Sequence, residues 1–223
     1  MNVTIAEEEI LTACSIFYGI SKEELFQFFK EANAHIKSYG KGEVLFYEGD
    51  FYDQISVILS GEAAIVRLYP DGTEHLFQKL SVGHLVGIEV ACTETKISPY
   101  STCALTDMKV LKFSYRCLET EGRVEERKRL FIQNQILKFI ASENIKKYYK
   151  INILSSRSLR ERILLYLEIQ RKKKKSNVVT IPFDRIEFAN YLCVNRSALS
   201  KELSKMQGEG LIRYHKNKFE ILY

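Results

Sequence analysis

Between residues 35 and 113 the apolar positions fall into short β-type runs, at residues 36–39, 44–47, 55–59, 63–68, 75–80, 85–89, 100–105 and 109–113. Turn residues separate them, among them Gly40-Lys41-Gly42, Glu48-Gly49-Asp50, Ser60-Gly61 and Pro70-Asp71-Gly72. Many short strands at regular spacing predict a sandwich or barrel, not a parallel α/β sheet. Ahead of them, residues 5–34 have helical spacing broken at Gly19. There Ser21 and Glu24 make a capping box, and Leu25, Phe28 and Phe29 form the apolar face of the helix it opens.

The pattern changes after residue 123. From about Val124 to Ile151 there is no Gly or Pro, and apolar residues recur at three and four. Leu130, Asn134, Leu137, Ala141, Asn144, Tyr148 and Ile151 make one seam at heptad spacing, with Ile132, Ile136, Phe139 and Ile140 on neighbouring faces. Such a helix has more apolar surface than one contact hides, so it is expected to pack on its own barrel and on a partner. Ser155-Ser156-Arg157-Ser158 then ends the helix and caps another, running from Leu159 to about Gln170.

The last stretch, residues 183–223, reads as a helix-turn-helix followed by a wing. Residues 183–191 have helical spacing, with Ile186, Phe188 and Ala189 available for a buried face. After a three-residue break Asn195 stands as an N-cap, and a second helix runs from Arg196 to about Gln207, stopped by Gly208. Leu199, Leu203 and Met206 share a narrow arc of it, leaving Arg196, Ser197, Ser200, Lys201 and Ser204 outward. A slim polar ridge with basic ends is what base edges and phosphates in a major groove require. A solvated amphipathic helix in an ordinary helical domain has the same spacing. Residues 211–214 and 218–222 alternate around His215-Lys216-Asn217 and predict a two-stranded wing.

Charge favours the DNA reading. Residues 151–223 hold 15 Lys and Arg against 7 Asp and Glu, a balance of +8, whereas residues 1–150 hold 18 against 21, or −3. A basic C-terminal third suits a polyanionic partner. Arg171-Lys172-Lys173-Lys174-Lys175 also suits a helix C-terminus electrostatically, where such a run is more often solvated than bound. The five cysteines, Cys14, Cys92, Cys103, Cys117 and Cys193, make no C-x-x-C pair, and an odd number argues against a disulfide framework. No apolar run is long enough to span a bilayer and no signal-peptide pattern opens the chain, so the expected location is the cytoplasm.

In this order the elements resemble the Crp–Fnr family of bacterial transcription regulators, over essentially the whole chain. The stretches that carry the resemblance are residues 41–50 (KGEVLFYEGD), 58–61 (ILSG), 83–87 (GHLVG) and, above all, 194–203 (VNRSALSKEL). The resemblance implies an effector-binding β-roll, a dimerisation helix and a DNA-binding domain. It puts Arg196, Ser197 and Lys201 at the base-reading positions of the recognition helix, with Ser200 on the same ridge, and Arg185, Asn195 and His215 at phosphate-holding ones. Ser197 replaces a common acidic residue, and Lys201 keeps the charge of a frequent Arg but not its fork.

The sensing half departs from the cyclic-nucleotide pattern, in which a Gly-Glu pair holds the ribose and an Arg-Ser pair the cyclic phosphate. Here Gly87 is followed by Ile88, with Glu89 one place late, and Ser98-Pro99 stands where Arg-Ser would. Tyr100, Ser101 and Thr102 supply no cation, so a buried phosphate would lack its charged partner. No iron–sulfur cysteine cluster is present, since only Cys14 lies near the N-terminus. A haem could use His75 or His84, though a lone His is usually a turn or surface residue, and the roll does not group histidines and a carboxylate for a metal. The cofactor is unknown.

The expectation is therefore an α+β chain: a β-roll or jelly roll with flanking helices at residues 1–123, a dimerisation helix at 124–152, and a winged helix-turn-helix at 153–223. Its function is that of an effector-responsive, sequence-specific regulator, a homodimer independent of cyclic AMP. Its partners are a pseudo-palindromic duplex, RNA polymerase and a small effector bound near Gly87, Ile88, Glu89, Ser98, Tyr100, Ser101 and Thr102. No catalytic residue, metal site or membrane contact is expected. Two alternatives stand beside it: a regulator whose roll no longer senses ligand, and a small-molecule-binding or enzymatic jelly roll with an accessory C-terminal domain.

Overall fold

Two capping boxes set the N-terminal helices, Thr4 with Glu7 for α1 (Ile5–Ala13) and Ser21 with Glu24 for α2 (Lys22–Glu31). Gly19 lies between them at φ +94°. The structure, a computed structural model, describes residues 3–68 and 74–223, so the Pro70-Asp71-Gly72 turn lies outside the described residues. The chain divides into two compact units, Met1–Ala141 and Ser142–Tyr223.

In the first unit eight strands follow: β1 (His35–Tyr39), β2 (Val44–Phe46), β3 (Gln54–Ser60), β4 (Ala63–Leu68), β5 (Glu74–Leu80), β6 (Leu85–Val86), β7 (Ser101–Ala104) and β8 (Met108–Ser114). They form two four-stranded sheets, ordered β1-β8-β3-β6 and β2-β7-β4-β5, with every pairing antiparallel. The run at residues 85–89 is not one strand. Gly87 turns the chain at φ +76°, and Ile88–Ala91 forms the short helix α3. A second short helix, α4 (Arg116–Glu119), closes the roll.

Alternation along β8 shows why the unit has two apolar layers. Leu111 and Phe113 face the helices, joining Phe17, Leu25, Phe28 and Phe29 in one cluster. Met108 and Val110 face inward, joining Phe46, Tyr52 and Ile58 inside the roll. Phe113 and Phe28 meet edge to face at 5.3 Å between centroids, the geometry aromatic quadrupoles favour.

The long helix α5 runs over Glu126–Leu154, starting two residues after the sequence pattern predicts and ending three beyond it. Ile132 and Ile136 are buried against the helix-side cluster, and Phe139 and Ile140 are partly buried there. The heptad seam lies on another face, and all seven of its residues are solvent-exposed in the single chain. Leu137 is 66 % exposed and Tyr148 and Ile151 65 % each, so this apolar stripe is open to solvent among the described residues.

In the second unit Ser158 caps α6 (Leu159–Lys174) with a box closed by Glu161. Then come β9 (Val178–Thr180), α7 (Arg185–Tyr191), α8 (Arg196–Gly208), β10 (Ile212–His215) and β11 (Lys218–Ile221). The wing is a three-stranded sheet, β10-β11-β9, because β9 adds an edge the sequence reading did not include. The core gathers Ile163, Leu167, Phe188, Leu192, Leu199, Leu203, Met206 and Phe219, with Ile153 from the end of α5. Ile186, expected inside, is 55 % exposed; Phe188 and Ala189 are the buried residues of α7, and Tyr191 packs partly buried against the same core. Gly208 is the last helical residue; the left-handed turn falls at Gly210, φ +74°, which costs glycine no strain.

Candidate nucleic-acid interface

Local chemistry builds the helix-turn-helix. Asp184 caps α7 and closes a box with Glu187. Leu192 ends the helix, and Cys193 reverses the chain in left-handed geometry at φ +55°. Asn195 then caps α8, its Oδ1 accepting from the Ala198 N–H at 2.7 Å and from the Ser197 hydroxyl at 2.8 Å. Leu199, Leu203 and Met206, each 0 % exposed, hold the helix to its support, worth about 1.5–3 kcal/mol per side chain.

The opposite face is open. Arg196, Ser197, Lys201 and Ser204 are exposed and Ser200 is half-buried. No carboxylate lies in the first turn of α8, so its positive N-terminal end is unopposed there. Neither Arg196 nor Lys201 is ion-paired among the described residues. Because the Ser197 hydroxyl donates to Asn195, its lone pairs remain to accept from a base amino group. Arg185 is half-buried at the start of α7, its Nη2 donating to the Lys216 carbonyl at 3.2 Å and its guanidinium 4.9 Å from the Tyr214 ring. His215 is exposed at the end of β10. A depression lined by Pro182, Phe183, Asp184, Arg185, Lys216 and Asn217 lies between the start of α7 and the wing turn.

The seven residues proposed for the effector site do not form one lining. Ile88 is buried in the helix-side cluster, not inside the roll. Ser98 is spent locally: its hydroxyl donates to the Tyr100 carbonyl at 2.7 Å and accepts from the Tyr100 N–H at 3.4 Å. Ser101 accepts from the Glu48 N–H at 2.9 Å. Glu89 is half-buried, and the Tyr100 phenol has its pKa raised first by burial and then by the Glu89 carboxylate. Thr102 is fully buried, and its Oγ1 has no hydrogen-bond partner among the described residues.

Gly87 is covered. A β-carbon built on it would collide with the ring of Tyr52, which is 6 % exposed and lies 4.0 Å from the Phe46 ring. The Tyr52 hydroxyl bonds Ser56 at 2.9 Å, and the buried Lys112 ammonium lies 5.1 Å from the Tyr52 ring and donates to the Tyr39 hydroxyl at 3.2 Å. The loop over this region is tied to residues 49–52 by three backbone hydrogen bonds of 2.7–2.9 Å. Its only cation, Lys96, is committed to Glu119 at 2.7 Å. Sequence reasoning missed Tyr52, Lys112 and Tyr39, which sit on different strands and loops and meet only in the folded roll. His84 is a turn residue, Nδ1 against Ser81, and the His75 side chain lies outside the described residues. Among the described residues no three His, Cys, Asp or Glu gather to hold a metal, and no helix is long and apolar enough to cross a membrane.

Comparison with known proteins agrees with this architecture. Residues 36–121 match the model of the cyclic nucleotide-binding domain, and residues 161–223 that of the Crp-like helix-turn-helix domain. The chain is 23 % identical to the transcriptional activator protein FnrA of Stutzerimonas stutzeri over 187 residues, 82 % of this chain and 74 % of that protein. It is 24 % identical to the transcriptional activator protein Anr of Pseudomonas protegens with the same coverage. Among solved structures, the Thermus thermophilus catabolite activator protein shares the fold at a TM-score of 0.54 and 20 % identity, covering 93 % of each chain. The c-di-GMP-responsive regulator CLP of Xanthomonas campestris does so at 0.58 and 18 %, over 91 % of this chain and all of that one. These relatives are transcription regulators, not enzymes. With a cyclic nucleotide-binding-like domain ahead of a Crp-like helix-turn-helix, the chain belongs to the Crp–Fnr family of DNA-binding transcription regulators.

Proposed function

We propose that the protein is a homodimeric, sequence-specific regulator of transcription that does not use cyclic AMP. The observation that carries the reading is the open ridge of α8: Arg196, Ser197, Ser200 and Lys201 turned outward from a helix whose other face is wholly buried. Arg196 donates a bidentate pair to guanine O6 and N7, Ser197 accepts from a cytosine or adenine amino group, and Lys201 adds a donor of its own. Arg185, the Asn195 amide nitrogen and His215 take phosphates and set register without reading sequence.

The homodimer is supported by the exposed heptad seam of α5, which a second copy would bury. Two-fold symmetry then calls for a pseudo-palindromic operator with half-sites one helical turn apart, roughly 34 Å. We assign residues 1–123 to the β-roll domain, 124–152 to the dimerisation helix and 153–223 to DNA binding. Work on DNA places the protein in the cytoplasm, with RNA polymerase as the partner its regulation acts upon.

An effector entering the roll near Gly87 would have to displace the Tyr52 ring. That packing favours the second reading of the roll, a regulator competent without ligand. Substituting Arg196→Ala with Lys201→Ala tests the α8 assignment. Operator binding should be lost while binding to unrelated duplex falls far less; unchanged operator affinity would remove the assignment and return weight to a ligand-binding jelly roll.

A further inference from the structure

The buried stripe of α8 is tethered by polar contacts on both of its flanks. On one flank a single guanidinium on α6 grips two carboxylates, Glu202 within α8 and Glu209 at its C-cap. Arg160 Nε donates to Glu202 Oε1 at 2.6 Å, Nη1 to Glu209 Oε2 at 2.6 Å, and Nη2 to Glu209 Oε1 at 3.0 Å. On the other flank Gln207 Oε1 accepts from the Tyr214 N–H of β10 at 3.2 Å. At 3.6 residues per turn Glu202 and Glu209 lie about 20° apart, on the side of the Leu199–Leu203–Met206 arc opposite Gln207.

Three apolar contacts along one line fix where the helix lies but resist rolling about its axis weakly. Tethers on either side of that line resist rolling strongly. Roll is what matters for readout, because it decides which of Arg196, Ser197, Ser200 and Lys201 faces a base edge. We propose that Arg160 is a positioning residue for base readout, setting the roll of α8 from a neighbouring helix. The inference rests on α8 being the helix that reads DNA. The side chains involved are 30 %, 23 % and 38 % exposed, so solvent screens the pairs and their worth to overall stability is small. Their geometry is another matter, since a planar fork with three aligned donors holds an angle that a lysine ammonium cannot.

The competing account is electrostatic. Arg160 would then only neutralise Glu202 and Glu209, whose charge would otherwise repel the duplex. The test uses the full chain with an operator selected by the wild type from a randomised duplex pool. Affinity for that operator and for unrelated duplex is measured by fluorescence anisotropy, and urea unfolding is followed alongside. Arg160→Lys and Arg160→Met should each lower the operator-to-unrelated ratio about tenfold or more, the scale of one good base contact. The unfolding midpoint should move little, and adding Glu202→Gln with Glu209→Gln to Arg160→Met should not restore the ratio. A wild-type ratio in Arg160→Lys, or its recovery in the triple variant, overturns the proposal in favour of charge. A lowered unfolding midpoint with an unchanged ratio overturns it in favour of a plain structural ion pair. A wild type that selects no operator sinks the α8 reading itself, and this inference with it.

Discussion

The ring of Tyr52 occupies the space into which a side chain on Gly87 would project. Gly87 also holds φ +76°, so alanine there meets both a collision and a strained backbone. Gly87→Ala should cost about 1–3 kcal/mol. Tyr52→Ala should cost more, about 3–5 kcal/mol, because it empties a buried site. In the double variant the alanine methyl no longer meets the ring, so its loss should be smaller than the sum of the two single losses. Urea unfolding of the four proteins measures this, and strict additivity would contradict the contact.

That relationship marks where the sequence could be read and where it could not. Elements fixed by neighbours in the chain were legible: the Ser21–Glu24 box, the Asn195 cap, the Leu199–Leu203–Met206 stripe and the strand–turn alternation. Contacts between distant residues were not legible. Tyr52 reaches Gly87 across 35 positions and Arg160 reaches Glu209 across 49, and no periodicity encodes either. The run at residues 85–89 misled because a glycine at positive φ turns strand to helix within one residue. Ile186 misled because α7 has only two turns, and Phe188 and Ala189, with Tyr191 partly buried, already fill its inner side.

Cys193 carries a β-carbon in the left-handed region, φ +55°, where glycine is unstrained. Cys193→Gly should therefore stabilise the second unit by up to about 1–2 kcal/mol, less what is lost to the greater entropy of unfolded glycine. Thermal unfolding checks the sign. Destabilisation would mean that the turn draws support from the Cys193 side chain.

If the exposed seam of α5 is the dimer contact, charge placed in it should separate the protomers. Leu137→Asp together with Tyr148→Asp should shift sedimentation from dimer to monomer. Operator affinity should drop by about 100-fold or more, since each half-site is then bound without the other. Sedimentation as a dimer with both substitutions would place the contact elsewhere.

Burial pushes the thiols of Cys14, Cys92 and Cys117 up from 9.0 to about 11 each. Between those values the unfolded chain has released these protons and the folded chain still holds them. Stability is therefore fully present below pH 9 and falls as pH rises toward 11. Tyr52 and Tyr100, raised first by burial, add loss of the same sign at higher pH. Unfolding midpoints from pH 8 upward should decline across this window, and substituting Cys14→Ser should change the decline more than Cys193→Ser. A midpoint that stays flat to pH 11 would contradict the buried state of these thiols.

The most direct test of the central claim is an anisotropy titration of the purified protein on its selected palindromic operator and on unrelated duplex, with and without cyclic AMP, at several salt concentrations. Specific binding should appear without cyclic AMP, stay unchanged when it is added, and weaken steeply with salt as phosphate contacts are screened. Operator binding that arises only on adding cyclic AMP would contradict the account, showing that the ligand displaces Tyr52 and that the roll senses it.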